Sequence, residues 1–485
     1  MKVNLGGVFI MKQKYKELLK NTGFLTLSNF GSKILIFFLI PIYTNVLTTD
    51  EYGLYDLIVT TVSLCIPIFT LNIQESIIRF CLDETKSDNE VLKIGLKYNF
   101  FSFIVIIFIC LLCFFTGFLK ISNIYLMFFC LMFISESLYY SFMKYARGIG
   151  EIRKSALAGV INTFFIIIFN ICFLCWFKFG LYGYFVATIL SYFIATCYIV
   201  ISLRKKIFVL NDKNINTTTQ KEMLNYSIPL IFDNISWWII NVSDRYIITY
   251  ILGVAANGIY SIAYKIPSVL NVFQSIFNQA WTISAVKEND NDSKLFYSNI
   301  YNLYNISMVF VCSFLICFDK VIARILFAKE FYSAWMYAPF LMIAVVFGAL
   351  SGLLGGVFNA MKDSKTLSIT TIIGALINIV LNIILVYKIG IIGAAVSTLI
   401  AYIVVWSIRL ATLIKKDKVS INIKQHIFSY LLLLLQAICI IFIKKVLILY
   451  FVQVVIIILI LILNINDFRK IISKFKKGLI KGDKK

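Results

Sequence analysis

The chain has 485 residues, of which 60% are hydrophobic, 16% aromatic and only 14% charged, and its formal net charge is +22. This composition excludes a set of soluble domains and predicts an integral membrane protein. Continuous apolar runs of about 20 residues, each long enough to cross roughly 30 Å of hydrocarbon as a helix, recur along the chain. Because the runs do not alternate between apolar and polar residues, the expected fold class is all-α polytopic rather than a β-barrel.

The apolar runs predict about 14 transmembrane helices. In chain order they cover residues 22–46, 52–78, 94–118, 121–143, 155–177, 181–203, 223–252, 255–282, 296–318, 335–360, 366–387, 391–414, 425–443 and 446–464. When both termini are placed in the cytoplasm, most Lys and Arg residues fall in cytoplasmic loops, as the positive-inside rule requires. The basic tail is then expected to lie against anionic membrane lipids, and nucleic acid is not an expected partner.

The chain contains an internal repeat. Residues 42–55 (IYTNVLTTDEYGLY) align with 247–260 (IITYILGVAANGIY), and residues 179–183 (FGLYG) align with 389–393 (IGIIG). The offset of about 205 to 210 residues equals six spans, so the halves are predicted to be parallel repeats with a binding site between them. The expected division is an N-terminal six-helix bundle, a C-terminal six-helix bundle, two extra C-terminal helices and a basic cytoplasmic tail, at residues 1–210, 211–418, 419–464 and 465–485.

Four of the five prolines lie in predicted spans 1, 2, 7 and 8, and Pro67 and Pro267 occupy similar depths in spans 2 and 8. A proline within a span removes one helical hydrogen bond and permits a kink. Such kinks serve packing alone or a conformational change, and the sequence leaves both interpretations open.

The polar residues concentrate in the same spans, where each one needs a partner or a water-filled cavity. A cavity lined by the cations Lys33, Arg245 and Lys265 would suit an anion, because low dielectric strengthens its attraction to fixed charges. Neighbouring amides would suit sugar hydroxyls, and they are Asn29, Asn241, Asn271, Gln274 and Asn278. The candidate carriers of a coupling ion are Asp233, Asp244 and Glu136. The alternative is that these groups only satisfy neighbouring helices.

Asp244 and Arg245 are adjacent, about 100° apart on a helix, so they do not form an ideal pair with each other.

No phosphate-binding loop occurs in the chain, and therefore an ATP-driven pump is not expected. Asp290 and Asp292 have the spacing found in some metal-dependent sugar transferases, but their loop is too short for a nucleotide-sugar site. No catalytic residue, metal site or cofactor is predicted.

Five stretches resemble a known family when taken together and in order. They are residues 22–57, 146–163, 243–248, 356–366 and 389–400. They resemble the Wzx-type polysaccharide-unit flippases, which act in the biosynthesis of surface polysaccharides such as O-antigen and belong to the multidrug/oligosaccharidyl-lipid/polysaccharide exporter superfamily.

The resemblance implies a MATE-like fold that moves undecaprenyl-diphosphate-linked oligosaccharide across the bacterial cytoplasmic membrane by alternating access. The implied partners are this lipid-linked oligosaccharide, membrane lipids, and a polysaccharide polymerase with its chain-length machinery. A cationic cavity is also implied, and Lys33, Arg245 and Lys265 are its candidates here. The alternatives are a multidrug or small-molecule exporter, a lipid II flippase, and a membrane glycosyltransferase or polysaccharide polymerase.

Overall fold

The computed structural model describes residues 35, 37–83, 86–117, 122–207, 216–275, 277, 293–361 and 363–465. Within these ranges the chain is helical and contains no strand. Eleven of the helices are long and apolar enough to cross a membrane, which confirms an all-α polytopic membrane protein. Of the other predicted spans, the first lies mostly outside the described residues, the seventh is the helix Thr217–Leu252, and the eighth is interrupted at residues 264–267.

The chain divides into two compact units, residues 1–238 and 239–485. The boundary falls within the long helix Thr217–Leu252. The division into two six-helix bundles, two extra helices and a tail stays a prediction.

Unit 1 contains eight helices and the first part of a ninth among its described residues. They are α1 Ile40–Val46, α2 Thr49–Phe69, α3 Ile73–Cys81, α4 Asp88–Thr116, α5 Asn123–Gly148, α6 Ile152–Asn170 with a π-helical turn Ile171–Trp176, α7 Gly180–Ser202, α8 Arg204–Ile207 and α9 Thr217–Leu252. Its apolar core includes Ile77, Ile94 and Tyr145 from α3, α4 and α5, all fully buried. Phe108 and Phe115 on α4 are exposed, as expected for a helix face in contact with lipid tails.

The start of α2 is set by a reciprocal cap. The backbone N–H of Glu51 donates to the Thr48 hydroxyl at 3.2 Å, and the Glu51 carboxylate accepts from the Thr48 backbone N–H at 2.9 Å. These two bonds satisfy amide groups that have no partner inside the first helical turn. The cap therefore explains why the short helix α1 and α2 are separate.

Unit 2 contains the remainder of α9 and the following helices. They are α10 Val254–Ala263, α11 Ser293–Leu326, a 3-10 helix Lys329–Met336, α12 Ala338–Ala360, α13 Ser364–Ile389, α14 Ile391–Lys415, α15 Ile423–Phe442 and α16 Val446–Leu463. Residues 268–275 are also helical. Helices α13 and α14 pack closely, because a Cβ at Gly374 would be 2.4 Å from Cγ2 of Val405.

The repeated FGLYG and IGIIG motifs have the same structural role in the two units. The first glycine of each motif, Gly180 or Gly390, has a positive φ of 54° or 70°, a conformation that favours glycine. Gly180 is the first residue of α7, and Gly390 directly precedes α14. The second, Gly183 or Gly393, packs against the preceding segment. A Cβ at Gly183 would lie 3.2 Å from the Phe173 carbonyl oxygen, and one at Gly393 only 2.4 Å from the Leu385 carbonyl. The motif therefore encodes a tight turn followed by close helix packing.

The first of the two C-terminal helices, α15, is attached to α11 partly through polar side chains. His426 of α15, the single histidine of the chain, is 2% exposed and bonds to the amides of Asn305 at 2.6 Å and Asn302 at 2.9 Å. Nearer the middle of the helices, Ser313 donates to Gln436 at 2.7 Å. Because lipid tails are as apolar as leucine, such polar contacts help to hold one membrane helix against another.

Asp363 caps α13 outside the spans and provides a test of pH dependence. A hydrogen bond from Lys416, and bonds from the backbone N–H and the hydroxyl of Thr366, lower the pKa of Asp363 from 3.8 to about 2. Because the folded-state pKa is depressed, this contribution to stability is complete well above pH 3.8 and is lost as the pH falls through about 2. We therefore expect Asp363→Asn to lower the melting temperature at pH 7 by a few degrees, with a smaller difference from wild type near pH 2. An equal difference at both pH values in detergent melting curves would contradict this.

Candidate functional site

A buried carboxylate lies in the part of α9 that belongs to unit 2. Asp244 is 1% exposed. Its Oδ2 accepts hydrogen bonds from the Tyr260 hydroxyl at 2.6 Å and the Thr398 hydroxyl at 2.7 Å, and its Oδ1 accepts from Nδ2 of Asn382 at 2.7 Å. Hydrogen bonds to a charged acceptor are the stronger kind, and three of them offset much of the cost of burying the charge.

Four helices position this carboxylate. Asp244 comes from α9, Tyr260 from α10, Asn382 from α13 and Thr398 from α14. An outer shell continues the network, because Asn378 donates to the Thr398 hydroxyl at 3.3 Å and itself accepts from Ser243 at 3.4 Å. Helices α13 and α14 are apolar enough to span a membrane, so the polar side chains of Asn382 and Thr398 need partners within the protein.

The groups of this cluster that could bind an ion are hard oxygen atoms and side-chain amides. Oδ1 of Asn382 is buried and has no hydrogen-bond partner among the described residues. No group of three or more His, Cys, Asp and Glu side chains that could hold a metal ion occurs in the same part of the chain. With a single carboxylate, the cluster is therefore suited to a proton or a monovalent cation rather than to a transition metal, which prefers imidazole or thiolate ligands.

One of the predicted cations of unit 2, Arg245, contacts an aromatic ring, and another, Lys265, is the neighbour of that ring in the sequence. The guanidinium carbon of half-buried Arg245 is 5.7 Å from the ring centroid of Tyr264, within the range of a cation–π contact. Lys265 follows Tyr264 directly, in the interruption between α10 and the helix at residues 268–275, and is also half-buried. This part of unit 2 thus combines positive charge with an aromatic surface.

The predicted amides have different environments. Asn241 is exposed and accepts a hydrogen bond from Tyr402 at 3.1 Å, and Asn271 is exposed as well. Gln274 is half-buried, and its Nε2 would lie 3.7 Å from a Cβ at Gly352 of α12. Three predicted site residues lie outside the described residues, and they are Asn29, Lys33 and Asn278.

The two other candidate ion carriers belong to unit 1 and differ from each other. Glu136 of α5 is 7% exposed and lies among the phenols of Tyr140 and Tyr192. Asp233 of α9 is exposed. Burial among polar partners therefore distinguishes Glu136 and Asp244 from Asp233.

Three residues that bond to Asp244 were not among the predicted site residues, and they are Tyr260, Asn382 and Thr398. One signal was present: Asn378 and Asn382 are four residues apart in a highly apolar span, so they share one face of α13. Tyr260 and Thr398 carried no comparable signal, because isolated Tyr and Thr residues are common in membrane helices.

A family model described as "Polysaccharide biosynthesis protein" matches residues 18–282. No curated protein sequence matches the chain. Among solved structures, the lipid II flippase MurJ in an inward closed conformation aligns with a TM-score of 0.69 and 16% identity, covering 92% of this chain and 99% of that one. An inward-facing multidrug resistance transporter of the MATE family and the MOP superfamily aligns with a TM-score of 0.64 and 14% identity, covering 81% and 94%. At these identities the likeness shows a common fold, and the prediction of a MATE-like fold is confirmed.

Proposed function

The chain belongs to the polysaccharide biosynthesis protein family, and on that premise we propose that it is a membrane flippase for lipid-linked oligosaccharide. The proposed substrate is an undecaprenyl-diphosphate-linked repeat unit, moved across the bacterial cytoplasmic membrane for surface polysaccharide synthesis. Both termini would then be cytoplasmic, and a polymerase with its chain-length machinery would use the product.

The observation that supports this proposal is the contact of the Arg245 guanidinium with the ring of Tyr264 in a membrane-spanning unit, with Lys265 as the next residue in the chain. The cations would attract the diphosphate, because charge interactions strengthen away from bulk water. The aromatic ring offers a surface for a sugar. Lys33 of unit 1 is proposed to contribute a further positive charge.

The proposed mechanism is alternating access. Unaided passage of the oligosaccharide would strip each hydroxyl of its hydrogen bonds to water, at a cost of several kcal/mol for each group in hydrocarbon. A polar path through the protein would avoid this cost while the lipid tail stays in the bilayer. Asp244 is the proposed carrier of a coupling proton or sodium ion, supported by its burial and its three hydrogen-bond donors.

Transport by purified protein in vesicles tests the role of the cations. We expect Lys33→Ala, Arg245→Ala and Lys265→Ala each to slow the translocation of lipid-linked oligosaccharide about tenfold, since a hydrogen bond to a charged group contributes about 1.5–3 kcal/mol. Lys415→Ala is the matched control, because Lys415 is exposed at the end of α14. Wild-type rates for both Lys33→Ala and Arg245→Ala at equal expression would refute the site assignment.

The fold shared with MurJ supports a lipid II flippase as the second candidate function. Offering lipid II and an oligosaccharide-linked lipid to the same vesicles separates the two candidate functions, because the proposed function requires faster transport of the oligosaccharide-linked lipid.

A glycosyltransferase would instead lose activity when Asp290 and Asp292 are changed to alanine. Both residues lie outside the described residues, and the flippase proposal expects transport to tolerate both changes.

A further inference from the structure

The second predicted span of unit 1 is interrupted. Helix α2 ends at Phe69 and α3 begins at Ile73. Between them, Leu71 and Asn72 have φ values of 53° and 52°, so two consecutive residues other than glycine adopt the left-handed conformation. That conformation is unfavourable for an L-residue, although less so for asparagine. The interruption is therefore strained.

Two buried amides add to this strain. Asn72 is 6% exposed and Gln74 4% exposed, and neither Nδ2 of Asn72 nor Nε2 of Gln74 has a hydrogen-bond partner within the described part of the chain. The other end of the Gln74 amide is occupied, since its Oε1 accepts from the Thr70 hydroxyl at 2.9 Å. A buried polar group without a partner costs free energy in the same way as a lost hydrogen bond.

The segment that follows the interruption is firmly held. Ser76 donates to the Met223 carbonyl at 2.6 Å, and Glu75 forms an ion pair with Lys144 at 2.7 Å. Ile73 and Ile77 are fully buried in the core of unit 1. On the other side, Pro67 lies in the last turn of α2 and lacks the N–H that a continuous helix would use. The break is thus confined to residues 70–72.

The corresponding span of unit 2 is interrupted as well. Residues 264–267, which end with Pro267, separate α10 from the helix at residues 268–275. Pro67 and Pro267 occupy similar depths in predicted spans 2 and 8, and each lies within or close to a break. Helix packing alone does not favour a break in the second span of each half. Every interrupted helix leaves backbone N–H and C=O groups that need other hydrogen-bond partners in the membrane.

We propose that residues 70–72 form a hinge at which α2 and α3 switch between the bent arrangement seen here and one continuous helix. The strain and the unpaired amides raise the free energy of the bent state, so a small change in contacts suffices to move the equilibrium. The proposal rests on the proposed transport function in one respect, namely that the switch accompanies substrate movement.

Distances between spin labels test the hinge in the full chain reconstituted in vesicles. Labels are attached at the exposed positions Asp50 and Arg79 through genetically encoded amino acids, so that the eleven native cysteines remain. A continuous helix would place these positions about 43 Å apart, at 1.5 Å for each residue, and the bent arrangement places them closer. We expect the wild type to show both distances. Adding lipid-linked oligosaccharide should change the relative populations of the two.

Two double variants should move the equilibrium in opposite directions. The double variant Leu71→Gly with Asn72→Gly favours the bend, whereas Leu71→Ala with Asn72→Ala favours the straight helix. The ratio of the populations that show the two distances should differ more than tenfold between these variants. A label pair at Asp88 and Thr116, exposed ends of the uninterrupted helix α4, should give one unchanged distance of about 42 Å.

The outcomes separate the hinge from the transport function. A single distance that neither double variant changes would overturn the hinge, even if the protein transports lipid-linked oligosaccharide. Two distances that shift with the variants in a protein without any transport would retain the hinge and remove the proposed function. If both proposals are right, each double variant also transports at least fivefold more slowly than wild type, because each holds one state.

Discussion

Replacing Asp244 with asparagine is expected to remove a coupling of about 5- to 150-fold between ion binding and substrate binding while the protein stays folded, and ion-driven transport should slow as a result. Asparagine has the shape of aspartate, and the hydroxyls of Tyr260 and Thr398 can turn to accept or donate. An amide cannot bind a proton in the physiological range or balance the charge of a cation. Transport is measured in vesicles under a sodium gradient and, separately, under a proton gradient. The gradient to which the variant no longer responds identifies the coupling ion.

A graded series separates this role from a structural one. Asp244→Ala leaves the three donors without their acceptor and should lower the free energy of unfolding by roughly 3 kcal/mol or more. Tyr260→Phe removes one donor and should cost about 1–2 kcal/mol. Tyr250→Phe on the same helix is the control, because Tyr250 is 92% exposed. Full ion-dependent transport by Asp244→Asn would show that the carboxylate serves only packing.

The alanine variant of Gly393 is expected to be destabilised by about 1–3 kcal/mol, whereas the alanine variant of Gly352 should be as stable as wild type or more so. A Cβ at Gly393 would lie 2.4 Å from the Leu385 carbonyl, so the backbone of α13 or α14 has to move. At Gly352 the nearest atom would be Nε2 of Gln274 at 3.7 Å, which is ordinary contact. Thermal melting of the purified variants in detergent measures both changes.

The same experiment extends to the other half of the repeat. A Cβ at Gly183 would lie 3.0 Å from Cβ of Phe173, a milder overlap, so Gly183→Ala should cost less than Gly393→Ala. Equal stability of Gly393→Ala and Gly352→Ala would mean that α14 shifts without cost at this contact, contrary to the close packing of protein interiors.

Several features of the fold followed from the sequence because they depend on local composition or spacing. Apolar runs of sufficient length identified the membrane helices, since hydrocarbon thickness sets a minimum length that few soluble sequences satisfy. The repeated glycine motifs at residues 179–183 and 389–393 were visible in the sequence, and the prolines marked spans 1, 2, 7 and 8 as unusual. Charge within an apolar span singled out Asp244 and Arg245, since burying a charged side chain in lipid is costly.

Tertiary packing alone determines which groups meet. The partners of Asp244 lie 16, 138 and 154 residues away along the chain, and no periodicity relates such distant positions. Likewise, Pro67 indicated a kink, but the left-handed conformation of Leu71 and Asn72 contradicts the local preference of leucine. Hydrogen bonding and packing around α3 outweigh that preference. Local patterns thus specify where helices run, whereas the orientation of a side chain toward a partner depends on contacts that exist only after the helices have packed.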